Sequence, residues 1–367
     1  MTEPAYIGLM SGTSMDGIDA VLASFPGDRV DIHGTYSLPY TDTLRQRLTR
    51  ACQNQATPDE VGELDHELGA LFGEAASGVI EAADWPRASI VAIGSHGQTI
   101  RHQPSGKHPF TTQIGDPNLI AEATGITTVA DFRRRDLAAG GQGAPLVPAF
   151  HRAFFGNDQT NRCIVNIGGI ANITWLPHAE PDQALGFDTG PGNALIDAWC
   201  LKQTGRPYDD NGHWAQTGEI NQTLLTDMLS DAYFRRPAPK STGKERFNLS
   251  WIETVIARHP DIPANDVQCT LVELTARSLA MQLPKSSGIT LYICGGGARN
   301  RFLMERLEIV LPDATIKTTA ALGLDPQWVE GVAFAWLAKR TLDQQTGNLP
   351  AVTGARGERI LGAIYQG

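Results

Sequence analysis

What this sequence does without narrows its role before any motif is read. No window approaches the roughly 18 uninterrupted apolar residues of a membrane-spanning helix. Nor do the first residues show a basic patch leading into an apolar segment, so no membrane span and no secretory signal are expected, and a cytoplasmic location is. Cysteine is scarce: Cys52, Cys163, Cys200, Cys269 and Cys294 are five in number and never paired as CxxC, which excludes a disulfide framework and a thiolate zinc site. Cys163 and Cys294 sit in apolar runs and read as core filler. Positive charge is in deficit, with 30 Lys and Arg against 40 Asp and Glu for a net −10, so the basic face that nucleic acid demands is missing. That balance leaves nucleotides open, because a nest of amides with a metal ion binds phosphate on an acidic protein. A GxxxxGK[ST] loop, a GxGxxG opening the first helix, short repeats and low-complexity tracts are also absent.

What is present is the mix of a folded protein, 41% hydrophobic and 19% charged over 367 residues, long enough for two domains with a core each. Apolar runs predict strands at Tyr6–Leu9, Ile18–Ser24 and Asp31–Ser37, an antiparallel meander. Stripes at Leu44, Leu48, Cys52 and at Leu64, Leu68, Leu71, Phe72, Ala75, Ala76, Val79 predict helices between Thr41 and Asp84. Strands follow at Ser89–Gly94, Phe110–Ile114 and Thr127–Ala130, with a helix at Pro117–Thr124. The Gly-, Arg- and Ala-rich stretch Phe132–Pro148 reads as a functional loop or a crossing between domains, and Gly140, Gly141 and Gly143 suggest a hinge there. The pattern then restarts: strands Arg162–Ile167 and Ala171–Leu176, a turn Thr189–Gly192, helix Asn193–Gln203, a long helical stretch Glu253–Leu283, strand Thr290–Cys294, and helices Asn300–Leu311 and Pro326–Leu342.

Four glycine-rich turns carry the chemistry. The block YIGLMSGTSMDGIDAVL (6–22) runs a strand into a turn with Gly8, Gly12 and Gly17 and the hydroxyls of Ser11, Thr13 and Ser14. It reads as an ordinary tight hairpin or as a loop whose amides wrap a phosphate chain, since glycine lets anionic oxygens approach the backbone. Asp16 at its tip would repel phosphate unless a cation intervened, which points to Mg²⁺. NIGGIAN (166–172) mirrors it, with Gly168, Gly169 and Asn172, and is equally a favoured two-residue hairpin turn. CGGGARN (294–300) places Gly295, Gly296 and Gly297 between a strand and a helix, where Asn300 is an N-cap or a polar contact to a nucleotide. GFDTGPGN (186–193) puts Asp188 at a strand end. Phosphoryl transfer to a hydroxyl needs such a carboxylate as base, and the other reading of Asp188 is a cap on the helix beginning near Asn193.

Taken together these turns resemble the phosphate-1, phosphate-2 and adenosine elements of the sugar kinase/actin-like ATPase superfamily. GLMSGTSMDGIDAVL (8–22), IGSHGQT (93–99), DFRRRDLAAGGQGAPLVP (131–148), NIGGIAN (166–172), GFDTGPGN (186–193), STGKERFN (241–248) and CGGGARN (294–300) narrow the likeness. They are similar to the blocks of the bacterial anhydro-N-acetylmuramic acid kinases, from Ile7 to about Tyr365. The resemblance implies an α/β fold of two lobes, each a mixed sheet flanked by helices, around a central ATP cleft. It implies an N-terminal lobe of 1–145 completed by 345–367, and a C-terminal lobe of 146–344. The implied reaction opens the anhydro ring with water and phosphorylates O6, using ATP and Mg²⁺, to give N-acetylmuramic acid 6-phosphate in cell-wall recycling.

On that resemblance Asp188 is the catalytic base. The stretch Ser11, Gly12, Thr13, Ser14, Met15, Asp16, Gly17, Ile18, Asp19, with Gly168, Gly169, Asn172, Gly295, Gly296, Gly297 and Asn300, faces ATP, and Asp16 meets the metal through water. His96, Gln98, Thr99, Arg133 and Glu330 bind the amino sugar. By themselves these residues are less specific. His96 is also readable as a satisfied loop histidine, the run Arg133–Arg135 as a solvated face, and Glu330 as a helix N-terminal charge. A homodimer is the implied assembly. An ordinary hexose or amino-sugar kinase of the same fold, and a non-catalytic actin-like regulator, are the competing readings.

Overall fold

The computed structural model describes residues 3–157, 159–178, 180, 183–284 and 288–367. In chain order its strands and helices are β1 (Ala5–Ser11), β2 (Gly17–Ser24), β3 (Asp31–Pro39), α1 (Asp42–Cys52), α2 (Pro58–Ala83), β4 (Ile90–Gln103), β5 (Phe110–Ile114), α3 (Pro117–Thr124), β6 (Thr128–Ala130), α4 (Phe132–Ala138) and α5 (Pro148–Phe155). There follow β7 (Arg162–Ile167), β8 (Ile170–Leu176), β9 (Leu185–Pro191), α6 (Asn193–Thr204), α7 (Gln222–Leu229), α8 (Leu249–Ile256), α9 (Ala264–Ala280), β10 (Thr290–Cys294), α10 (Arg301–Val310) and β11 (Thr315–Thr318). The chain ends with α11 (Val329–Leu342), α12 (Pro350–Thr353) and β12 (Ala363–Tyr365). Two compact units result: Met1–Phe154 with Trp328–Gly367, and Phe155–Gln327. Among the described residues no helix is long and apolar enough to cross a membrane.

Each unit is a mixed sheet with helices, the α/β class expected, and the two sheets share one plan. In the first unit the order runs β12-β6-β4-β1-β2-β3, with β5 paired to β4. In the second it runs β11-β10-β7-β8-β9. The first three strands of each form an antiparallel meander, β1-β2-β3 and β7-β8-β9. Later strands then add in parallel beside the first one, β4 and β6 on β1, β10 and β11 on β7. The glycine hairpin that opens each half is therefore the start of the same five-strand arrangement.

Local signals explain most element boundaries. Thr57 and Glu60 form a capping box at the start of α2, with Glu60 N–H donating to Thr57 Oγ1 at 3.2 Å, Thr57 N–H donating to Glu60 Oε2 at 3.0 Å, and Pro58 following. One face of β1 and β2 (Ile7, Leu9, Ile18, Leu22) packs on the α1 and α2 stripes Leu44, Leu48, Leu64, Leu68 and Phe72.

The structure departs from the expectations in five places. The helical stretch Glu253–Leu283 is two helices, α8 and α9, because Pro260 and Pro263 lack the N–H that a continuous helix needs. Phe132–Ala138 is helix, not loop. The strand expected at Ser89–Gly94 runs on through the SHGQT block to Gln103. The helix expected in the second domain, α11, belongs to the first unit, so the boundary at 344 moves to 327–328. The reason is close packing: a Cβ on Gly8 would overlap the carbonyl oxygen of Gly331, and one on Gly94 that of Phe334, so α11 lies directly on β1 and β4. The expected hinge glycines, too, lie inside the first unit, pinned to its C-terminal segment by Gln142 N–H to Thr353 O (2.8 Å) and Arg356 N–H to Ala139 O (2.9 Å). The chain passes between units at 154–155 and 327–328 instead.

Candidate active site

The β1–β2 turn is braced from behind. Ser11 is buried, with its hydroxyl 2.7 Å from Gln98 Oε1 and 2.8 Å from Gly17 O, and it accepts from Tyr40 OH at 3.0 Å. Gln98 Nε2 donates to Gly12 O at 3.2 Å and to Thr99 O at 3.3 Å. Gln98 is 1% exposed, and its side chain braces the turn. Thr13, Ser14 and Asp16 are exposed at the tip, where Ser14 Oγ donates to Asp16 Oδ1 at 2.8 Å. Met15 adopts a left-handed φ of 57°. Ile18 is core, turned away from the tip, and Asp19 Oδ1 accepts from Ser37 Oγ at 2.5 Å.

His96 and Arg133 come together as one unit. Arg133 Nε and Nη2 lie 3.1 and 2.8 Å from His96 Nε2, and Arg133 Nη1 donates to Gly143 O at 2.8 Å. His96 Nδ1 sits 2.8 Å from Gly97 O. Burial, and then the neighbouring guanidinium, push the imidazole down to about 3, so it is neutral, with Nδ1–H donating and Nε2 accepting. Thr99 Oγ1 accepts from Gln113 Nε2 at 3.0 Å. Glu330 lies in the first turn of α11, next to Gly331. Behind Arg133, the fully buried Asp136 accepts from Gly143 N–H at 2.7 Å, Asn348 Nδ2 at 2.7 Å and Thr353 Oγ1 at 2.8 Å. It fixes the loop that holds the arginine, a role local sequence does not announce, since its partners Asn348 and Thr353 lie 212 and 217 residues away.

In the second unit the Gly168-Gly169 turn sits against the start of α6. Gly168 O accepts from Asn193 N–H at 2.8 Å, and Gly169 O from the N–H groups of Gly192 and Ala194 at 2.9 and 3.0 Å. The helix N-terminus is thereby occupied. Because N–H and C=O of a trans peptide point oppositely, the N–H groups of Gly169 and Ile170 are directed away from α6.

Asp188 lies within β9 opposite Asn172 of β8, not in a cap. Its Oδ2 accepts from Thr242 N–H at 2.9 Å, its N–H donates to Lys240 O at 3.2 Å, and its carbonyl accepts from Tyr233 OH at 2.7 Å. Main chain and carboxylate are held from three directions. Tyr233 and Lys240 were not singled out by sequence, and Thr242 only within the block STGKERFN (241–248), although a run of Arg235, Arg236, Lys240, Lys244 and Arg246 in an acidic chain is a signal.

Beyond β10, Gly295 and Gly297 are demanded by packing, since a Cβ would overlap Asn166 Oδ1 and the Ile167 side chain respectively, whereas at Gly296 it would meet only Asn193 Nδ2 at 3.6 Å. Asn300 takes the capping role, accepting from Leu303 N–H at 3.0 Å.

At Gly12 and Gly168 a Cβ would find its nearest atoms at 3.9 and 3.7 Å, and neither residue has a left-handed φ. Packing within the fold therefore leaves room for a side chain at both positions. For Mg²⁺ the donor set is an exposed carboxylate, Asp16, beside a hydroxyl, and among the described residues no three His, Cys, Asp or Glu side chains cluster as a metal site. A hard cation that keeps most of its waters and leans on phosphate fits one such carboxylate.

Residues 4–367 match the family model described as anhydro-N-acetylmuramic acid kinase. A protein of that name from Coxiella burnetii (strain Dugway 5J108-111) is 51% identical over 371 residues, covering 100% of this chain and 99% of its own. Another from Shewanella pealeana is 50% identical over 371 residues with the same coverage. Among solved structures, the (R)-2-hydroxyglutaryl-CoA dehydratase component A of Acidaminococcus fermentans is 11% identical, covering 90% of this chain and 96% of its own, at a TM-score of 0.45. The chain belongs to the anhydro-N-acetylmuramic acid kinase family, and it is an ATP-using kinase of that small amino sugar, serving cell-wall recycling.

Proposed function

We propose that Asp188 is the base of a coupled reaction. Its carboxylate takes a proton from water as the water oxygen bonds to the anomeric carbon of the anhydro sugar. The bond from that carbon to O6 breaks, and O6 bonds to the γ-phosphorus as ADP leaves. No separate general acid is needed, because the phosphoryl group quenches the charge on O6. A glycosidase, in contrast, flanks its bond with two carboxylates. The observation that carries this reading is the fixed carboxylate: Thr242 N–H at 2.9 Å on Oδ2, with main-chain bonds to Lys240 and Tyr233 on either side. A base so held loses little orientation entropy on the way to the transition state.

The amides at Gly12–Asp16 and at Gly168–Gly169 are the proposed phosphate ligands, and Gly296 offers an open face to the adenosine. Asp16 would hold Mg²⁺ through water, and the ion would supply charge neutralisation at the phosphates. On the sugar side, Arg133, steadied by neutral His96 and by Asp136, is the cation for the lactyl carboxylate, and Thr99 and Glu330 complete the contacts. A cytoplasmic location and a homodimer belong to the same reading.

Asp188→Asn tests it. The amide keeps size and Thr242 contact but cannot take the proton, so turnover falls by roughly 10²–10⁴-fold or more, while calorimetry with an ATP analogue and with the sugar still shows both binding. Retention of more than about a tenth of the rate would remove Asp188 from the role.

A further inference from the structure

Lys240 has no part in the reading above except through its carbonyl. Its side chain is 3% exposed, and the hydrogen bond its ammonium makes is a long one, 3.4 Å to Tyr233 O. Two aromatic faces complete its surroundings, Tyr233 at 4.7 Å and Phe187 at 5.8 Å. Phe187 immediately precedes Asp188, and the Tyr233 hydroxyl is the one bonded to Asp188 O. A buried ammonium with so few acceptors opposes folding, and an apolar side chain would fill the same volume at less cost. Its place next to Asp188, with its carbonyl accepting from Asp188 N–H at 3.2 Å and Tyr233 shared between the two, supplies a reason for it.

We propose that Lys240 is a positioning residue for the reaction, its buried charge holding Asp188 in the ionised form while its own main chain and that of Thr242 set the carboxylate's orientation. The inference rests on Asp188 being the base. Attraction between Lys240 and Asp188 opposes the downward pull that burial, and then Arg236, exert on the lysine, which settles at about 8. Below that pH the ammonium is charged, so it is present throughout the range in which a carboxylate titrates.

From the same segment come Arg236, Lys244, Glu245 and Arg246, and Arg246 is tied to Asp231. The turn at 232–235 contributes Tyr233, which burial and Asp188 keep protonated, and the exposed Arg235. From β8 the uncharged Asn172 stands opposite Asp188 in the sheet register. Lys240 is the buried cation of this set.

The experiment is the pH dependence of kcat/KM for the full-length enzyme with ATP and anhydro-N-acetylmuramic acid, comparing wild type, Lys240→Met, Lys240→Arg and Asp188→Asn. Loss of the cation raises the carboxylate's pKa, so the acid limb of the Met variant moves up by about one pH unit or more, whereas that of the Arg variant stays at the wild-type position. The melting temperature of the Met variant is not lowered. A folded Met variant whose acid limb coincides with wild type overturns the proposal. Should that variant not fold, Lys240→Gln carries the same comparison, and a carboxyl titration of Asp188 by ¹³C NMR reads the shift without turnover. An active Asp188→Asn enzyme instead sinks the base assignment itself, and an inactive one with an unmoved Lys240→Met limb sinks only the role of Lys240.

Discussion

Replacing Gly168 by alanine adds a Cβ whose nearest heavy atom is Ile170 O at 3.7 Å, ordinary van der Waals contact. Since the backbone there is not left-handed, the change stiffens the unfolded chain and leaves the fold as stable or more so, by about 0.4–1 kcal/mol. Nucleotide binding should respond differently. The methyl group occupies the side of the turn on which a phosphate oxygen is to lie, and losing one charge-assisted amide–phosphate bond costs about 1.5–3 kcal/mol, roughly 10- to 150-fold in Kd. The control is its neighbour in space: a Cβ on Gly192 would overlap Gly168 O and lie 3.2 Å from Ala171 N. That substitution should destabilise by about 1–3 kcal/mol through overpacking. Thermal melts and calorimetry with an ATP analogue, run on both variants, separate the two effects. If Gly168→Ala melts lower than wild type and binds nucleotide within about threefold of it, the assignment of this turn to phosphate is wrong.

Two further outcomes follow from buried groups. His96 and His151 are both held at about 3 by burial, with Arg133 adding to the effect at His96, against about 6.5 unfolded. The unfolded chain thus binds protons that the native one refuses, so stability falls as pH drops below about 6.5 towards 3. About 2 kcal/mol per histidine should be lost between pH 7 and 5 in urea titrations, and an equal stability at both pH values contradicts the buried neutral state. Gly94→Ala drives a methyl group into the Phe334 carbonyl and should lower the melting temperature by several degrees, as about 1–3 kcal/mol of overpacking implies, while a melt unchanged from wild type would mean that α11 does not sit on β4.

The strands around the glycine turns were legible because short apolar runs bounded by glycine leave few other options, and β10 falls at the expected Thr290–Cys294. The register of α6 was legible from Gly192 and the apolar run behind it. What the sequence hides is long-range. Phe334 and Trp336 of α11 are apolar on a helix buried nearly all round, so periodicity could not say which sheet they cover; the small residues at 8, 94 and 331 decide it. The bracing role of Gln98 could not be read locally, because its partners Ser11 and Gly12 lie 87 and 86 residues away. Asp136 and Lys240 went unread for the same reason: a buried charge acquires meaning only from the groups that surround it.

In the proposed reaction, ring opening by water and phosphorylation of O6 form one event with Asp188 as its base. Mass spectrometry of the product formed from anhydro-N-acetylmuramic acid and ATP in ¹⁸O-water, quenched before the anomeric hydroxyl exchanges, tests it most directly. The expected product is N-acetylmuramic acid 6-phosphate carrying one heavy oxygen at C1 and none in the phosphoryl group, and Asp188→Asn yields none of it. A phosphorylated sugar with its anhydro ring intact, or heavy oxygen appearing in free phosphate in place of the sugar, would contradict it.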